Sequence, residues 1–134
     1  MANVLYPKWR EAILQAAANS ALTGTVKVAI VDTAVYTYNA AHEFYSSLSG
    51  VVGVSNALAA KTYTGGVFDA DDGVATSVSG ATSEALVFFI DTGDPATSRL
   101  VAYIDTGYTG LPVTPSGANI NLIWASGGIF ALGS

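Results

Sequence analysis

Ala85-Leu86-Val87-Phe88-Phe89-Ile90 and Leu100-Val101-Ala102-Tyr103-Ile104 are two short apolar runs, and the stretch between them opens Asp91-Thr92-Gly93-Asp94-Pro95. Short runs rich in β-branched and aromatic residues, bounded by Asp, Gly and Pro, read as strands joined in a hairpin. The same pattern continues on either side. Residues 25–31 alternate and are rich in β-branched side chains, and 58–64, 74–78, 120–124 and 129–132 are further short apolar runs. Gly, Asp, Pro and Ser clusters separate them. Such spacing predicts a mainly β chain, an antiparallel β-sandwich or barrel of about seven or eight short strands.

Helix is expected near the N-terminus. Across 6–19, Pro7 falls in the first turn, where its missing N–H matters least, and Trp9, Ile13 and Ala16/Ala17 recur at helical spacing. The alanine run favours helix as well. Asn39 opens a shorter helical candidate at 40–48, with Phe44 and Leu48 four residues apart. No low-complexity linker interrupts the chain, so 1–134 reads as one domain with a helical N-terminal region and a β-rich remainder.

Charge is the unusual feature. Charged residues make up 11% of the 134, against about 25% in an ordinary soluble domain. A folded monomer of this length exposes roughly 6,600 Å², which so few charges cannot cover in the usual proportion. The surface is therefore coated with uncharged polar residues or meets another protein. From Thr106 to Ser134 there is no charged side chain at all, which is the pattern of an interface core or of a buried terminal hairpin with uncharged loops.

Several functions are excluded by type. With no Cys and one His, the chain has no thiolate zinc site, iron–sulfur cluster or disulfide framework. Net charge is −5, and the five basic residues, Lys8, Arg10, Lys27, Lys61 and Arg99, are dispersed, unlike the clustered Lys and Arg of a nucleic-acid binder. No apolar stretch approaches a membrane span. The opening residues lack the basic-then-apolar order of a signal peptide, so a soluble product made in the cytoplasm and not exported by a leader is expected.

The catalytic motifs are weak. Asp91-Thr92-Gly93 and Asp105-Thr106-Gly107 each follow an apolar run, and Asp32-Thr33-Ala34 ends an earlier one. Aspartic proteases place such a loop where two carboxylates share a proton and activate water. Six strand residues at about 3.3 Å each set Asp91 and Asp105 roughly 20 Å apart in a hairpin. A dimeric, retroviral-type protease would use one loop per chain, but that family continues with Ala, where this chain has Asp94 and Tyr108. Strand-end turns explain the motif without chemistry.

Asp69, Asp71 and Asp72 are three carboxylates within four residues, a composition suited to Ca²⁺ but not at EF-hand spacing. Ser55 sits in Gly53-Val54-Ser55-Asn56-Ala57, a degraded nucleophile elbow, with His42 before it rather than after it. Tyr36, Tyr38, Tyr45, Tyr63, Tyr103 and Tyr108 are candidates for a sugar platform, an interface or a core. The expectation is a non-enzymatic chain with no catalytic residue, cofactor or metal.

The sequence also resembles a group of small virion structural proteins of tailed bacteriophages. The likeness lies in Tyr6-Pro7-Lys8, Val26-Lys27-Val28-Ala29-Ile30-Val31-Asp32-Thr33-Ala34 and Tyr36-Thr37-Tyr38-Asn39-Ala40-Ala41-His42. It continues through Gly66-Val67-Phe68-Asp69-Ala70-Asp71-Asp72, the stretch from Ala96 to Thr106, and Gly110-Leu111-Pro112-Val113-Thr114-Pro115. It departs at the end, where many relatives carry a basic, Lys-containing strand and this chain has none. The resemblance implies a building part of the particle, located in the virion, foremost a head decoration (cement) protein that bridges capsid subunits. Neck, tail or baseplate positions, or a displayed receptor- or glycan-binding module, are the alternatives. The implied partners are the major capsid protein or other virion proteins. A homo-oligomer is expected, with no nucleic acid and no membrane. Tyr6, Trp9, Trp124, Ile129, Phe130 and Leu132 are the candidate contact residues.

Overall fold

The computed structural model describes residues 3–132. Gly133 and Ser134, the end of the uncharged tail, lie outside the described residues, as do Met1 and Ala2.

The expected hairpin sets the architecture. Strands β6 (Ala85–Ile90) and β7 (Leu100–Ile104) pair antiparallel, with Leu86 opposite Ile104 and Val87 opposite Tyr103. On the other side of β6 runs β2 (Val26–Val31), with Val28 opposite Phe88. The edges are β1 (Val4–Leu5) beside β7 and β3 (Val51–Val54) beside β2, giving the order β1-β7-β6-β2-β3. Two antiparallel ribbons complete the strands: β4 (Val67–Phe68) with β9 (Phe130–Ala131), and β5 (Gly73–Ala75) with β8 (Ile120–Leu122). The protein is thus mainly β and antiparallel, with nine short strands in three sheets among the described residues and no barrel closure.

Every residue of β6 and β7 is buried, so both faces of the central sheet are covered. Strand alternation and register put Val28, Ile30, Leu86, Phe88 and Ile90 on one face. Phe130 and Trp124 pack on Phe88 there, with ring centroids 6.1 and 5.3 Å away. On the other face, Tyr45 lies 4.6 Å from Phe89 and Tyr36 lies 6.4 Å from Tyr103. The fully buried Tyr6 hydroxyl meets that of Tyr36 at 2.7 Å, and Tyr36 reaches Nδ1 of His42 at 2.9 Å. Burial pushes the hydroxyl of Tyr6 well above the usual phenol range, raises that of Tyr36, and brings that of Tyr103 up to about 12. They stay neutral links rather than acids.

Helix α1 covers Pro7–Leu14 and stops before the expected end at 19. Ala16 turns left-handed at φ 52°, its N–H bonds the Ile13 carbonyl, and the N–H of Ala17 bonds that of Ala12. That pair is the Schellman closure, which overrides the alanine run. The turn also delivers the Ser20 carbonyl to the Trp9 indole N–H at 2.9 Å.

The helix expected at 40–48 is reduced to a single 3₁₀ turn, Tyr45–Ser47. Its sequence is recruited to the start of β7 instead. Phe44 bridges Arg99, Leu100 N–H donates to the Glu43 carbonyl, and Arg99 forms a 2.9 Å ion pair with Glu43. Residues 58–64 likewise form no strand: Leu58 bonds Val26, then Ala60 at φ 53° breaks the extension.

Candidate functional site

Beside α1 lies an open groove of ≈ 840 Å³. Its floor is a row of aromatic rings. Trp9 meets Phe130 edge-on at 6.0 Å, and Phe130 meets Phe68 at 5.2 Å. This row joins the helix, the C-terminal ribbon and the sheet beneath, so residues from three distant parts of the chain form one surface. Ile13, Ala16 and Ala17 continue one wall, while Tyr63, Gly66 and Val67 form the other. The Tyr63 hydroxyl donates to the Leu22 carbonyl at 3.0 Å, and Lys61 Nζ donates to the Gly24 carbonyl, which ties the far wall to the loop before β2.

The groove is apolar. Asp91 is the one charged residue along it among the described residues, and it is held by Lys27 at 2.8 Å. The Lys27 ammonium, then the Gly93 N–H, hold the Asp91 carboxyl below its usual range. On the opposite face of the sheet a smaller pocket of ≈ 200 Å³ contains Lys27, Tyr45 and Asp91.

The expected contact residues separate into distinct places. Trp9 and Phe130 form the groove floor, and Leu132 stands at its mouth, 50% exposed. Trp124 is half-buried against Phe88 and Tyr108, with its indole N–H on the Asp71 carbonyl at 3.1 Å. Ile129 is half-buried, and its N–H bonds Phe68. Tyr6 lies in the core with 0% exposure, so it presents no surface. Tyr63, one of the tyrosines named as platform or interface candidates, lines the groove at 41% exposure, whereas Leu14, at 88% the most exposed large apolar side chain among the described residues, is outside both the groove lining and the expected contact set. A signal for Leu14 is present in the sequence: with Trp9 and Ala12 facing inward, helical geometry turns Leu14 outward.

The chemical motifs take structural positions. Asp91 and Asp105 follow opposite ends of the hairpin and are not brought together within one chain. Asp91 accepts from Gly93 N–H at 2.9 Å and Asp32 from Ala34 N–H at 2.9 Å, both turn bonds. The N–H of Asp105 donates to Asn3 at 2.8 Å. Asp69 caps Ala70 N–H, and Asp72 accepts from Trp124 N–H. No group of three or more His, Asp or Glu side chains able to hold a metal ion occurs among the described residues. Ser55 accepts from the N–H of Val28 at 2.9 Å, while His42 faces Tyr36. No helix among the described residues is long and apolar enough to cross a membrane.

No protein-family model and no curated protein matches the chain.

Proposed function

We propose that the chain is a non-enzymatic structural part of a tailed-phage virion, a capsid decoration (cement) protein that binds the outer shell and bridges capsid subunits. The observation that carries a role in association is the ≈ 840 Å³ apolar groove, along which Tyr63 and Leu132 are exposed. Contiguous exposed apolar surface of this kind marks an interaction site. Only 11% of residues are charged, a composition that supports contact with other proteins over part of the 6421 Å² surface. The virion assignment itself is supported by the resemblance of the segments from Tyr6 to Pro115 to small phage structural proteins.

The mechanism is association. Apolar burial stabilises each contact by about 25 cal/mol per Å², less the cost of ordering the partners. Repetition over a symmetric shell then multiplies weak contacts into stable attachment.

The test is immunogold labelling of purified particles with an antibody to this chain, together with deletion of its gene. Label on heads, and faster loss of packaged DNA on heating the deletion particles, are the expected results. Label at the neck, tail or baseplate moves the protein to that position. Absence of the chain from purified particles overturns the reading.

A further inference from the structure

Tyr6, Tyr36 and His42 form one line of hydrogen bonds on the face of the sheet opposite the groove floor. Tyr6 stands between β1 and α1, and its N–H bonds the Val101 carbonyl of β7 at 2.9 Å. Tyr36 belongs to the turn after β2, where its N–H bonds the Asp32 carbonyl at 3.0 Å. His42 is set by an Asx turn. Asn39 Oδ1 accepts from the Ala41 N–H at 2.8 Å, and the Asn39 carbonyl accepts from the His42 N–H at 3.0 Å.

The hydrogens in this line can be counted. Both tyrosines are buried, and Tyr36 at 2.7 Å is the hydrogen-bond partner of the Tyr6 hydroxyl among the described residues. With His42 neutral and its proton on Nε2, Tyr6 donates to Tyr36, and Tyr36 donates to Nδ1 at 2.9 Å. Every hydrogen then has an acceptor. A second ring proton, on Nδ1, places three hydrogens in two contacts. Whichever contact opens, one buried hydroxyl is left without an acceptor.

No ion pair with a described residue holds that added proton. Glu43, next in the chain, is taken by Arg99 at 2.9 Å. The other ionisable rings of the cluster are Tyr38 and Tyr103. Arg10 acts on the first, and Asp105 and Glu84 act on the second. Glu84 is also engaged by the N–H and hydroxyl of Thr33.

We propose that His42 is a proton-operated latch on the N-terminal arm. Neutral, it fixes the direction of the Tyr6–Tyr36 bond; charged, it breaks the line and weakens the seat of Tyr6 between β1 and α1. The device is independent of what the groove binds.

The experiment is urea unfolding of the wild type, His42→Gln and Tyr36→Phe from about pH 8 to about pH 5, where an ordinary histidine changes charge. Imidazole and amide ¹⁵N spectra of the wild type accompany it. A folded chain that resists a proton the unfolded chain accepts is stable at the upper end and loses that stability as pH falls. Asp91, lowered from 3.8, changes charge below this interval. The wild-type unfolding constant should rise about tenfold more than that of His42→Gln, whose amide accepts from Tyr36 without titrating. Tyr36→Phe, which deprives Tyr6 of its acceptor throughout, should start less stable and approach the wild type at the lower end. The Tyr6 amide should shift together with the imidazole. Parallel profiles for the wild type and His42→Gln overturn the inference, as does a Tyr6 amide indifferent to the imidazole charge. A neutral ring with its proton on Nδ1 overturns it too, and that spectrum needs no variant to fold.

Discussion

Ala16 occupies a position that usually belongs to glycine. It closes α1 in the left-handed region at φ 52°, where a Cβ crowds the following carbonyl. Replacing Ala16 with Gly removes that crowding, and the gain exceeds the extra freedom conferred on the unfolded chain. Ala16→Gly should stabilise the protein by about 0.5–1 kcal/mol and raise Tm by about 2–4 °C in thermal unfolding followed by circular dichroism. Ser55 makes the opposite case. Its hydroxyl accepts from the buried N–H of Val28 and donates to the Asn56 carbonyl at 2.8 Å, joining β2 to the end of β3 where the regular ladder has run out. Ser55→Ala leaves the Val28 N–H without an acceptor in a position that water does not reach, a loss of about 1–3 kcal/mol. Urea unfolding should show a lower midpoint with an unchanged slope.

At the level of elements, the bond between β2 and β6 carries a pH signature. Lys27 and Asp91 meet at 2.8 Å across this pair. The ammonium and the Gly93 N–H lower the Asp91 carboxyl beneath its ordinary value of 3.8. A carboxyl lowered in the folded state binds its proton more readily when unfolded. The stability it adds is therefore present above pH 3.8 and is lost as pH falls through the lower folded value. Asp91→Asn should be less stable than the wild type at pH 7, and the two should converge in acid; parallel curves down to pH 2 would remove the ion pair as the cause.

The elements most readable from sequence alone are unbroken apolar runs, whether the partner is near, as in the hairpin, or distant, as for Val26–Val31. Ala85–Ile90 and Leu100–Ile104 are delimited to the residue because each is a complete apolar run with its turn beside it. Val51–Val54 escapes such a reading, because Gly50 and Gly53 look like loop residues until the packing is known. A Cβ on Gly53 would come within 2.9 Å of Val78, so the glycine admits a buried neighbour to the strand rather than ending it. At 40–48 the local pattern favours helix, and the bonds of Glu43, Phe44 and Tyr45 to 98–100 overrule it.

For the molecule as a whole, the candidate site is only partly readable for the same reason. Trp9, Phe130 and Leu132 stand out as apolar residues near the two ends of the chain, but nothing local says that the ends meet. Phe130 makes them meet. Its ring touches Trp9 of α1, Phe68 of β4 and Phe88 of β6, so one side chain joins helix, ribbon and central sheet. It also places Leu132, whose N–H bonds the Gly66 carbonyl at the groove mouth. Truncating a buried Phe to Ala costs about 3–5 kcal/mol; Phe130 is half-buried, so about 2–3 kcal/mol is expected for Phe130→Ala. A larger consequence concerns where that loss appears. If Phe130 is the common contact, hydrogen exchange in the variant should speed up together at Ile129 and Leu132, along 67–69 and through the last turn of α1. Amides of β6 and β7, buried on both faces, should follow only global unfolding. Acceleration confined to 129–132 would mean that the groove walls stand independently and that the aromatic row merely lines them.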